Sequence, residues 1–101
     1  SLAYYKPIPP AVNAEGPTVQ AIHAAATVVG DDRVRRNVVP SMGCEDFAFM
    51  LATRPGCYLW IGNGPIVDGV GLHSSRYDFN DEILPIGASY WATLVESVLA
   101  A

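Results

Sequence analysis

The chain has 101 residues, half of them hydrophobic and only 16% charged, with a formal net charge of −4. That balance, with a pI near 4.8, argues against a nucleic-acid binder, which needs clustered Lys and Arg on the phosphate backbone. The basic cluster Arg33, Arg35 and Arg36 is offset by Asp31 and Asp32.

A chain of this length is one domain or part of one. Its mean hydropathy of +0.23 is high for a small free-standing domain, whose surface should be mostly polar. The excess implies apolar faces meant to meet more polypeptide or a partner. Cys44 and Cys57 have no C-x-x-C spacing and read as two buried reduced thiols, which suits a cytoplasmic protein. No apolar run reaches the roughly 18–20 residues that span a bilayer, so no membrane role is expected. Ser1 to Lys6 lacks a basic leader and an apolar core, so it is not expected to be a signal peptide. The absence of an initial Met suggests a chain cut from something longer.

Leu2 to Tyr5 suits a short strand, closed by Pro7, Pro9 and Pro10. This Pro-rich step is a candidate boundary between structural units. Gly16-Pro17 opens a helix whose apolar stripe is Val19, Ile22, Ala26 and Val29, and Gly30 stops it. His23 lies beside that stripe and reads as an ordinary helix-flank histidine. Val34 to Val39 is weakly β-like. Ser41 to Phe47 reads as a tight turn into a second helix, with Glu45 and Asp46 suiting its positive N-terminus. Phe47, Met50 and Leu51 form the expected apolar face, and Arg54-Pro55-Gly56 breaks the helix.

Cys57-Tyr58-Leu59-Trp60-Ile61 is an apolar run between two glycines and is expected to be a strand buried on both faces. Gly62-Asn63-Gly64-Pro65 turns the chain, and residues 66–71 are loop-like. Asn80 to Ile83 is a separate turn, because Pro85 fits only the first turn of the helix that follows. That helix runs from Leu84, with Leu84, Ala88, Trp91, Val95 and Val98 on one face, widened by Ile86, Tyr90 and Leu94. The alternation of helices and strands predicts an α/β fold, a partial catalytic domain with helices packed on a short, mostly parallel sheet.

Chemistry concentrates between Leu72 and Glu82. His73 sits in a Gly-rich loop after the apolar run, where α/β sheets place ligands. A neutral imidazole there can bind a metal, with Asp78 or Asp81 fixing its tautomer. It can equally be a hydrogen-bonded loop histidine. Ser41, Ser74, Ser75 and the cysteines lack a nucleophile signature, and Glu45 and Asp46 point about 100° apart on a helix, which disfavours an acid–base pair. Gly62-Asn63-Gly64 lacks the Lys of a phosphate loop.

Three linked motifs carry more. Ser41-Met42-Gly43-Cys44-Glu45-Asp46-Phe47-Ala48-Phe49-Met50 is followed by Pro55-Gly56-Cys57-Tyr58-Leu59-Trp60-Ile61-Gly62-Asn63-Gly64. Leu72-His73 and the run from Tyr77 to Ala88 complete the set. In this order, and with the Pro9-Pro10-x-x-Asn13 step, they resemble the carboxyl-terminal part of the M20 peptidase family. The likeness is to its branch of hippurate hydrolases, N-acyl-amino-acid amidohydrolases and indole-acetyl-amino-acid hydrolases. It implies a hydrolase that cleaves the amide of N-acyl amino acids with two divalent metals, zinc or manganese. By that pattern residues 1–9 are the last strand of a lid domain that can form a homodimer. Residues 10–101 are then the carboxyl-terminal part of the catalytic α/β domain.

The resemblance makes His73 a metal ligand and places Gly43 and Glu45 in the substrate pocket, with no catalytic residue in this chain. The family's other ligands and its general base belong to the rest of the catalytic domain, so the isolated chain is expected to be inactive. Cys44 departs from the small residue common at its position, and Ser75 from a frequent proline. The rival expectation is an autonomous α/β interaction module that associates through apolar faces without catalysis.

Overall fold

Proline at the third position of a helix meets no conflict, because the first-turn N–H groups have no intrahelical acceptor. So α1 runs Glu15–Val29 with Pro17 in its first turn. It ends at Gly30, whose φ of 89° is easy only for glycine. A Cβ there would lie 2.8 Å from Asp32 Oδ1. The next residues, Asp31–Arg33, form a single 3-10 turn, and the Asp31 carboxylate pairs with Arg36. The second helix, α2, spans Phe47–Thr53. After a 3-10 turn at Asp81–Ile83, α3 runs Leu84–Leu99 with Pro85 in its first turn. These helix starts, the stop at Gly30 and the separate turn before Leu84 agree with the sequence reading.

The protein is known from a computed structural model, which describes residues 1–100. Its one substantial helix–helix contact joins α1 and α3. Ala21 and Ala24 are buried on α1, and Tyr90 is the buried residue of α3. Small alanines on α1 let the two helices approach closely. The expected stripe on α1 is therefore displaced: Val19 is 60% exposed, and the buried line passes through Ala21 and Ala24 instead. On α3 the turn is similar. Tyr90 faces inward with Ile86 and Leu94 half-buried, while Trp91, Val95 and Val98 of the expected core face are exposed. On α2 it is Ala48 that is buried, and Met50 is exposed.

The α/β expectation is overturned. Among the described residues there are helices and no strand. The apolar run from Cys57 to Ile61 has no neighbouring strand to pair with, and strands form only as ladders. Its one paired residue is Tyr58, whose partner is a side chain. Asn13 Oδ1 accepts from the Tyr58 N–H at 2.8 Å, and Asn13 Nδ2 donates to the Tyr58 carbonyl at 2.9 Å. Next to it, the Ala14 N–H donates to the Gly56 carbonyl at 2.9 Å. Likewise Leu2 to Tyr5 and Val34 to Val39 carry no ladder. Their hydrophobic pattern is strand-like, but pattern without a partner leaves the backbone unpaired.

Tertiary burial is sparse. Among the described residues the buried hydrophobic ones are Ala21, Ala24, Ala48 and Tyr90. The accessible surface is 8678 Å², whereas a compact protein of this mass exposes roughly 5,500 Å². The radius of gyration is 16.3 Å, against about 13 Å for a compact domain of this length.

Candidate functional site

Two loops hold the candidate residues. The first leads into α2. Its Gly43 N–H donates to Ser41 Oγ at 3.2 Å, closing a small turn. Glu45 follows, with both carboxylate oxygens occupied. Oε1 accepts from the Phe47 N–H at 3.1 Å, and Oε2 accepts from the Tyr58 hydroxyl at 2.8 Å. The backbone bond from Phe47, and after it the Tyr58 hydroxyl, hold the Glu45 carboxyl below its ordinary range. The same Glu45 bond, ahead of burial, pushes the Tyr58 phenol up. The Phe47 and Tyr58 rings meet at a tilt of 43° with centroids 5.5 Å apart, and Trp60 meets Tyr58 edge-on at 5.6 Å.

Glu45 is thus a brace. It ties the start of α2 to the apolar run, while Asn13 ties that run to the start of α1. Tyr58 and Asn13 were not among the residues singled out for the site. The Pro9-Pro10-x-x-Asn13 step and the tyrosine between Cys57 and Leu59 were visible, but nothing local says that they meet.

The second loop carries His73. Its φ of 71° places it in the left-handed region, and Asp68 at 51° shares that conformation. The backbone of non-glycine residues visits this region at a cost. Successive turns fold the loop: the Ser74 N–H donates to the Gly71 carbonyl at 3.2 Å, and the Tyr77 N–H to the Ser74 carbonyl at 3.1 Å. Ser74 Oγ also accepts from the Arg76 N–H at 3.2 Å. His73 at the crest is exposed.

Asn63 anchors the base of this loop. Its Oδ1 accepts from the Asn80 N–H at 2.7 Å, and its Nδ2 donates to the Asp78 carbonyl at 3.0 Å. Asn80 then caps the following turn by accepting from the Glu82 N–H at 3.0 Å. Asp78 enters this network through its backbone. Among the described residues no hydrogen bond joins His73 to Asp78 or Asp81, nor to Gly43 or Glu45.

The donors present do not make a metal centre by themselves. Among the described residues no group of three His, Cys, Asp or Glu side chains could hold an ion. Cys44 and Cys57 are both free, and neither is buried as expected: Cys44 is exposed and Cys57 half-buried. His23 lies exposed on α1. No described helix is long and apolar enough to cross a membrane.

Residues 1–97 match the family described as peptidase family M20/M25/M40. Over 95 residues the chain is 30% identical to the IAA-amino acid hydrolase ILR1-like 2 of Arabidopsis thaliana, covering 93% of this chain and 21% of that protein. It is 34% identical over 74 residues to the hippurate hydrolase of Campylobacter jejuni, covering 73% of this chain and 18% of the relative. A second Arabidopsis thaliana relative, IAA-amino acid hydrolase ILR1-like 4, is 36% identical over 62 residues, covering 59% of this chain and 14% of that protein. The chain spans about a fifth or less of the length of these curated relatives. No solved structure matches it.

Proposed function

This chain belongs to peptidase family M20/M25/M40, and on that premise we propose that it is the carboxyl-terminal part of a hydrolase that cleaves the amide bond of N-acyl amino acids. The observation that carries the reading is the match from residue 1 to residue 97. It is joined by similarity to proteins named as hydrolases of IAA-amino acid and hippurate.

In this reading His73 supplies one ligand to a divalent metal, zinc or manganese, and the other ligands come from the rest of the catalytic domain. Its exposed position at the crest of a tight loop supports that role. A metal of this kind polarises a carbonyl and activates water. The chain's own residues do not complete a metal centre, so no catalytic step is assigned to it. Gly43 and the Glu45 brace shape one wall of the substrate pocket. Residues 1–9 belong to a lid domain through which the parent can dimerise. In keeping with this, the first residue hydrogen-bonded to the body of the chain is Asn13.

The alternative, an autonomous interaction module, fits the surface less well, because so extended a chain with so few buried residues is not a self-sufficient domain. The test is direct. The 101-residue chain, incubated with Mn²⁺ or Zn²⁺ and an N-acyl amino acid, should show no turnover, while the full-length parent with the same metals should hydrolyse the substrate. Turnover by the chain alone would overturn the fragment reading, and an inactive, metal-loaded parent would overturn the hydrolase reading.

A further inference from the structure

The loop that carries His73 has two limbs, one beginning at Asn63 and the other returning through Asp78 to Asn80. Among the described residues the hydrogen bonds inside it are all local. The Val70 N–H donates to the Val67 carbonyl at 3.0 Å, as the Ser74 and Tyr77 N–H groups do to Gly71 and Ser74. Such turns shape the crest, but none ties one limb to the other. Ile66, Val67 and Leu72 are exposed, so apolar burial within the chain does not tie them either. The hydrogen bonds across the base are the two of Asn63, to the Asn80 N–H at 2.7 Å and the Asp78 carbonyl at 3.0 Å.

We propose that Asn63 is a positioning residue for His73, setting where the imidazole stands by holding the two limbs of its loop together. The inference rests on the reading of His73 as a metal ligand and adds the group that aims it. The imidazole is exposed, and among the described residues it enters no hydrogen bond, which leaves its nitrogens open to a metal. With no contact to fix the ring, its place is inherited from the backbone, held at a φ of 71°. A metal–ligand bond tolerates only about 0.2 Å of error. A loop with loose limbs must be ordered again at each binding event, which weakens affinity. A side-chain amide suits the task, because one acceptor and two donors let a single residue pin Asp78 and Asn80 together.

Equilibrium dialysis of the metal-free, full-length parent against Mn²⁺, and separately Zn²⁺, tests this. Asn63→Ala should weaken metal binding about tenfold, the low end of the cost of removing a group that orients a ligand. Asn13→Ala removes the equivalent two-point clamp at Tyr58 and should bind metal as wild type does. If Asn63→Ala does not fold, Asn63→Asp keeps the acceptor for Asn80, loses the donor to Asp78 and carries the same measurement. An equal loss in Asn13→Ala would overturn the proposal, since the effect is then general loosening. His73→Gly in the same assay separates the two readings. Metal lost from His73→Gly but held at wild-type affinity by the Asn63 variants sinks the positioning role alone. Wild-type affinity in His73→Gly sinks the ligand reading and the positioning role with it.

Discussion

At His73 the backbone and the imidazole make separate demands. The left-handed φ of 71° is strained for alanine but open to glycine and tolerated by asparagine. His73→Ala would therefore mix loop strain with loss of a ligand. His73→Gly in the full-length parent keeps the loop and removes the imidazole. It should lose bound metal and activity together while the melting temperature of the metal-free protein stays near wild type. Full metal content in that variant would show that His73 is not a ligand.

Glu45 invites a pH experiment. Its carboxyl lies below the ordinary value of 4.5 because the Phe47 N–H and the Tyr58 hydroxyl favour the charged form. A depressed folded pKa contributes stability that is present above pH 4.5 and is lost as pH falls through the folded value. Glu45→Gln in the parent should remove this component, so that the variant loses less stability than wild type between neutral pH and acid below 4.5. Parallel acid limbs for the two proteins would refute the brace. The Tyr58 phenol has the opposite sense, its raised pKa giving stability below its ordinary value of 10.0 that is lost in stronger base.

Among the elements, side chains do the joining that strand ladders would do elsewhere. Asn13 satisfies both backbone groups of Tyr58, and Asn63 holds Asp78 and Asn80. Each amide offers one acceptor and two donors, enough to copy the two-point pairing of a neighbouring strand at a single residue. Asn13→Ala in the parent should cost about 1 kcal/mol, because two partly hydrated hydrogen bonds are exchanged for bonds to water. Chemical denaturation measures it, and an unchanged midpoint would mean that the link to Tyr58 is incidental. The helix limits were legible locally, since Pro17, Gly30, Pro55 and Pro85 act through their own backbones. The helix faces were not. Val19 and Val95 look like core residues in sequence, and their exposure follows from where α1 meets α3.

For the whole molecule, the surface of 8678 Å² and the core of three alanines and a tyrosine predict weak cooperativity. The isolated chain should bind an apolar-surface dye and melt without a sharp transition, whereas the full-length parent should do neither. Calorimetry of the two side by side checks this. A sharp, dye-free transition of the chain alone would favour the self-sufficient module.

The sequence by itself determined the family, the greasy composition, the helix starts and stops, and the loop that carries His73. Those rest on residue identity and on backbone restrictions that act within a few positions. Only the tertiary structure decided that the run from Cys57 to Ile61 pairs with the side chain of Asn13 and not with a strand. It also decided that Ala21 and Ala24, and not the valine stripe, are the buried residues of α1, and that both oxygens of Glu45 are spent on Phe47 and Tyr58. The reason is physical: pairing and burial are properties of two surfaces in contact. The candidate ligand at His73 could be found from one stretch of chain, but what completes it depends on what packs beside it.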